Sequence, residues 1–125
     1  MRGPTFTDRE LDVMAVLWDL GPSTVPEVLE RLSDDLAYTT VQTVLRTLES
    51  KGHVAHVEEG RFHRYRALVE RSEAEASALN RILNRVFRGS PELLLSQLVS
   101  QRDLSDEEIG RMRRLLEGHR GKGGE

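Results

Sequence analysis

The stretch from Ala37 to Gly52, AYTTVQTVLRTLESKG, constrains this chain more than any other. Val41, Val44, Leu45 and Leu48 recur at three- and four-residue spacing, which predicts a helix with one buried face. The opposite face carries Thr39, Thr40, Gln42, Thr43 and Arg46, with no carboxylate before Glu49. A helix surface meant only for solvent ordinarily mixes acids with bases. This one offers hydroxyls, an amide and a guanidinium, the groups that phosphates and base edges in a DNA major groove require. The hydroxyl of Thr39 or Thr40 is expected to cap the helix start, and Gly52 to end it. A core helix with a neutral outer face would show the same stripe, so the flanking segments decide.

Upstream, Met1 to Phe6 reads as a short tail. Thr7 and Glu10 form a capping-box pattern, opening a helix from about Asp8 to Leu20 with Leu11, Met14, Ala15, Leu17 and Trp18 on its inner face. Gly21-Pro22 ends it. Ser23-Thr24 is a short extended link, and Thr24 caps a second helix that accepts Pro26 in its first turn, where no N–H is needed. Its stripe is Val25, Val28, Leu29 and Leu32, and Ser33-Asp34-Asp35 turns the chain into the third helix. Three helices with a turn before the last make a helix-turn-helix arrangement.

After Gly52 the period changes to two. Val54, His56 and Glu58 alternate with Ala55, Val57 and Glu59, and Phe62, Arg64 and Arg66 alternate with His63, Tyr65 and Ala67. Two such runs around Glu-Glu-Gly-Arg predict a β-hairpin, and a hairpin directly after a helix-turn-helix is the layout of a winged helix. Arg61, His63, Arg64 and Arg66 on the hairpin suit phosphate or minor-groove contact; the same arginines would also blunt an exposed sheet edge.

Beyond Val69, Ser72 and Glu75 suggest another capping box before a helix to about Phe87, with Leu79, Ile82, Leu83, Val86 and Phe87 in one continuous stripe. Gly89-Ser90-Pro91 breaks it. A fifth helix carries Leu93, Leu94, Leu95, Leu98 and Val99. Ser105 with Glu108 caps a sixth, carrying Ile109, Met112, Leu115 and Leu116. These helices hold too many apolar residues to stand in water and too few residues for a core of their own. A second copy packed against Leu79, Ile82, Leu83, Val86, Phe87, Leu94, Leu98, Ile109, Met112 and Leu116 resolves that, as a two-fold homodimer. The expected fold is mainly α (α+β): a winged helix-turn-helix DNA-binding domain over 1–70, a helical dimerisation region over 71–118, and a disordered tail over 119–125.

Composition narrows the function. With 38% hydrophobic and 31% charged residues the chain reads as a soluble globular protein. A formal net charge of -3 argues against indiscriminate nucleic-acid binding and leaves room for a local basic surface. There is no cysteine, hence no disulfide, thiol nucleophile or thiolate metal site, which suits a reducing cytoplasm. No apolar run approaches a membrane span and no signal peptide is evident. His53, His56, His63 and His119 lack metal-ligand spacing, Gly60 and Gly89 are isolated rather than part of a phosphate-cradling loop, and no G-x-S-x-G is present. The sequence supports no enzyme, no metal and no cofactor.

With these segments in hand, the chain resembles the penicillinase-repressor family of transcription factors, the BlaI/MecI type, from about Thr7 to Leu116. The matching pieces are TDRELDVMAVLWDLGPSTVPEVLERL, AYTTVQTVLRTLESKGHV, GRFHRYRALVE, FRGSPELLLSQLV and LSDEE. The second and third together, at this spacing, are specific. The resemblance implies a homodimer that binds a palindromic double-stranded DNA operator through the third helix and wing and represses downstream genes. It implies Thr39, Thr40, Gln42, Thr43 and Arg46, with Arg61 and His63 in the wing, as the DNA-binding residues. It also implies a sensor protease that cuts in the fifth helix. The Asn-Phe pair that well-known relatives carry there is Gln97-Leu98 in this chain, and the cysteine-rich C-terminal motif of copper-responsive relatives is absent.

Two other functions are compatible with a winged helix. A protein-interaction module would favour an acid-rich third helix and a non-basic hairpin, and neither is present. A ligand-sensing regulator would need a roomy pocket, which a sequence does not display.

Overall fold

In the computed structural model, which describes residues 3–33 and 35–123, the first helix starts where Thr7 and Glu10 exchange hydrogen bonds: each side chain accepts from the other's backbone N–H. This α1 (Asp8–Leu20) buries Val13, Met14, Val16 and Leu17. The buried stripe is thus rotated from the expected one, and Leu11, Ala15 and Trp18 sit half-buried at its margin. Glu10 is what turns it, because its carboxylate faces inward to meet Lys51. The Ser23-Thr24 link is more than a connector. It is an edge strand, β1 (Ser23–Thr24), and Thr24 then forms a second capping box with Glu27 at the start of α2 (Val25–Arg31). Asp34 of the expected Ser33-Asp34-Asp35 turn lies outside the described residues.

The third helix, α3 (Tyr38–Ser50), buries Val41, Leu45 and Leu48. Neither Thr39 nor Thr40 caps it. The chain becomes helical earlier, with Ala37 as the N-cap and, among the described residues, no side chain bonded to the first turn, so both hydroxyls lie within the helix on its exposed side. Its end follows expectation. Gly52 takes φ +84°, its N–H donates to the Glu49 carbonyl, and the N–H of His53 donates to the Leu48 carbonyl. That pair of bonds is a Schellman closure, which needs a left-handed residue at Gly52.

The hairpin comprises β2 (Val54–Glu59) and β3 (Phe62–Ala67), paired antiparallel from Val54↔Ala67 to Glu59↔Phe62. Gly60, at φ +61°, and Arg61 form the two-residue turn. A glycine at the first central position is what a II′ turn requires. β1 pairs with β3 through Ser23↔Tyr65 and Thr24↔Arg64, so the sheet order is β1-β3-β2 and the wing has a third strand at its base. Tyr65, on the central strand, is the largest fully buried side chain and packs with Met14, Leu45, Leu48, Val13 and Val28.

The first helix after the wing, α4 (Arg71–Arg85), starts at Glu70, whose N–H donates to the Glu73 carboxylate and whose carbonyl accepts from Ala74. Ser72 is therefore inside the first turn and not its cap. α5 (Pro91–Gln101) is capped by Ser90, and α6 (Asp106–Gly123) begins with reciprocal bonds between Ser105 and Glu108. α6 runs on through Gly118 to Gly123, where a tail was expected from 119. Extending a nucleated helix adds a hydrogen bond per residue, and His119 and Arg120 suit the negative end of its dipole.

The chain divides into two compact units, one running to Arg81 and one starting at Ile82. The first unit thus reaches past the residue-70 boundary expected from sequence. Ala74 and Ser77 of α4 are buried in it, and the Trp18 indole N–H donates to the Val69 carbonyl at 2.9 Å. The expected N-terminal tail is also tied down. The Ser77 hydroxyl donates to the Pro4 carbonyl at 2.7 Å, and Phe6 packs against Trp18 and His53.

Candidate nucleic-acid interface

The outer face of α3 survives folding as the sequence presents it. Thr39, Thr40, Thr43 and Arg46 are exposed, and Gln42 is half-buried at the edge. Arg46 forms no ion pair among the described residues. With Ala37 as N-cap, the first-turn N–H groups meet no side-chain acceptor among the described residues. An uncapped helix start presents positive partial charge and is a favourable place for a phosphate. The one acid on α3, Glu49, is occupied: the Nδ1–H of His56 donates to its two oxygens at 2.8 and 2.7 Å.

Pairing across the hairpin sorts the wing residues. His63 pairs with Glu58 and lies on the same face as His56 and Tyr65, the face turned toward the core. Its ring stacks on His56 at 4.0 Å between centroids and 5° between planes. Burial pushes the Tyr65 phenol up from its usual value, the Glu49 charge adds to that, and Arg46 opposes it. Arg61 is exposed in the turn, and Arg66 is exposed on the outer face.

Arg64 is engaged within the chain. Its Nε donates to Glu59 at 2.8 Å, and one terminal nitrogen donates to both the Pro22 carbonyl and the Glu27 carboxylate at 3.0 Å. Hydrogen bonds with Glu59 and Glu27 hold it well above the usual arginine range. It clamps the wing to the capping box of α2. Nothing in a period-two pattern distinguishes it from Arg61 or Arg66. Glu49 and His56 escaped the sequence reading for a similar reason, since their contact spans the bend from helix to strand.

The residues singled out for dimerisation are all accessible. Leu79, Ile82, Val86, Leu98, Ile109 and Leu116 are exposed, while Leu83, Phe87, Leu94 and Met112 are half-buried. No residue of α5 is buried. Gln97 and Leu98 lie in its middle, both exposed. Among the described residues no group of three or more His, Asp or Glu is placed to hold a metal, and no helix is long and apolar enough to cross a membrane.

The sequence matches the family described as "Penicillinase repressor" over residues 6–118. The chain belongs to the penicillinase repressor family. A relative named "Penicillinase repressor" from Bacillus licheniformis is 31% identical over 121 residues, covering 95% of this chain and 94% of that protein. The "Methicillin resistance regulatory protein MecI" of Staphylococcus aureus (strain N315) is 26% identical over 113 residues, covering 89% and 92%. A solved MarR family protein from Bacillus stearothermophilus superposes with a TM-score of 0.51 at 25% identity, covering 98% of this chain and 78% of that one. The winged-helix fold and membership of a family of transcriptional repressors, which are not enzymes, follow from these matches. The penicillinase repressor match spans both compact units.

Proposed function

We propose that this penicillinase-repressor family member is a transcriptional repressor that binds a palindromic operator duplex as a homodimer. The exposed face of α3 carries the reading: Thr39, Thr40, Gln42, Thr43 and Arg46 are presented there, while the one acid of that helix is held by His56. Arg46 has the reach for a guanine edge or a phosphate, and the threonines suit phosphates or thymine methyls. Arg61 supplies the wing contact, with the accessible edge of half-buried His63 beside it. The exposed apolar residues from Leu79 to Leu116 form the dimer contact and so couple two reading helices. Repression ends when a sensor protease cuts α5 at Gln97-Leu98. The site of action is the cytoplasm, where the operator lies.

The test is selection of duplexes from a random pool by the full chain, followed by anisotropy titrations on the winner. A palindromic winner is expected, with affinity falling steeply as salt rises. Arg46→Ala should weaken binding by about 1–3 kcal/mol if it reads a base. Selection that enriches no sequence would remove the operator reading. Unchanged affinity in a folded Arg46→Ala would remove α3 from it.

A further inference from the structure

The wing is fastened on both of its faces. On the outer face, Arg64 ties it to the start of α2 through Glu27 and Pro22. On the inner face the fastening is a chain of three side chains. Glu49, in the last turn of α3, accepts from His56 Nδ1 on β2, and the His56 ring lies flat against His63 on β3. A carboxylate can only accept, so the hydrogen of that bond sits on Nδ1. This fixes the imidazole tautomer, and two acceptor oxygens at 2.7 and 2.8 Å fix the ring's rotation. Tyr65, buried beneath, packs against both rings, its ring centroid 5.3 Å from that of His56 and 6.2 Å from that of His63. His63 is separated from the Gly60-Arg61 turn only by Phe62.

We propose that Glu49 and His56 are positioning residues for DNA recognition: they fix His63, and with it the wing tip that carries Arg61, at a set angle to the reading face of α3. Neither touches DNA. The inference rests on the reading of α3 and the wing as the DNA interface. Its physical content is pre-organisation, since a hairpin held in place loses less freedom on binding than one that swings. The same bond keeps the carboxylate of Glu49 turned away from phosphate.

The test is a double-mutant cycle between Arg61→Ala and Glu49→Ala on the duplex selected by the wild-type chain. Arg61→Ala alone should weaken binding about tenfold, the scale of a specific side-chain contact. In the Glu49→Ala background it should cost less than about twofold, because the tip is no longer held where Arg61 reaches. Glu49→Gln retains an acceptor for Nδ1–H and should restore the full tenfold effect of Arg61. A joint that only stabilised the fold would lower the melting temperature and leave the Arg61 effect intact. If Glu49→Ala fails to fold, His56→Ala opens the same joint from the strand side. An unchanged tenfold effect in both backgrounds overturns the inference and leaves the DNA reading standing. No Arg61 effect in the wild type overturns the wing contact itself, and the inference with it.

Discussion

Lys51 Nζ lies 2.8 and 2.9 Å from the two carboxylate oxygens of Glu10, joining the end of α3 to the first turn of α1. Glu10 is almost wholly buried. Burial pushes its carboxyl up, but the bond from Lys51, the Thr7 N–H and the charges of Lys51 and His53 outweigh that and hold it below its ordinary 4.5. A group with a depressed folded value stabilises the fold above its unfolded value and loses that contribution as pH falls through the folded one. Lys51→Met leaves the carboxylate buried with one backbone donor and should cost on the order of 2–3 kcal/mol at pH 7. The gap from wild type should close below about pH 4.5, because a protonated Glu10 needs no counter-charge. Urea melts from pH 7 to 3 measure it. A gap that is constant with pH would mean the ion pair does not set the penalty.

Gly52 gives a second, purely conformational prediction. A side chain added there meets nothing within 4 Å, so space is not the issue. The residue holds φ +84°, and a left-handed backbone costs a β-carbon about 1–2 kcal/mol. Gly52→Ala should lose that much by chemical denaturation, and Gly52→Asn less, since Asn tolerates the region better. Equal, negligible losses in both would show that the Schellman closure relaxes without it.

Local signals account for most of what the sequence disclosed. Thr7-x-x-Glu10 and the Val41, Leu45, Leu48 stripe are decided within a few residues, and both appear where expected. The Thr39/Thr40 cap failed because two adjacent hydroxyls cannot say which turn comes first, and the helix opened at Ala37. Long-range partners were silent. Ser23 gives no hint of pairing with Tyr65, 42 residues on, and Arg64 looks like any wing arginine until Glu27 and Pro22 are brought beside it. The candidate reading face was legible because it lies on one helix. The Glu49–His56–His63 joint was not, because three elements build it.

The reach of the first unit to Arg81 sharpens a truncation experiment. A chain ended at Val69 discards Ala74 and Ser77, which are buried, and the Ser77 bond to Pro4. A chain ended at Arg81 keeps them. The longer fragment should melt several degrees higher, as loss of buried packing and a hydrogen bond on a small domain implies. If residues from Ile82 onward carry the dimer contact, that fragment should sediment as a monomer and bind a half-site weakly. Leu83→Asp in the full chain should dissociate the dimer likewise, since a carboxylate in an apolar contact has no partner. A dimeric 1–81 fragment would place the contact within the first unit.

Release is the last step the architecture has to explain. Protease sites need an extended, accessible backbone, and Gln97-Leu98 sits in mid-helix, with the Ser100 hydroxyl donating to the Gln97 carbonyl at 3.0 Å. Yet no residue of α5 is buried in this chain. A short helix without a buried face opens at little cost, so α5 would become a substrate whenever the packing proposed for it in a dimer loosens. Cutting there severs α6 from the rest, removes Leu98, Ile109, Met112 and Leu116 from the proposed dimer contact and would uncouple the two half-sites without touching α3. The rival route is a ligand that prefers the unbound state. Within the first unit, a cleft lined by Arg9, Asp12, Asp19 and Arg31 has a volume of about 420 Å³, within the range that a drug-sized ligand fills. Cleavage is the proposed route, and experiment separates the two. Blotting cells before and after induction should show a fragment ending near Gln97. Derepression with the chain at full length would rule cleavage out.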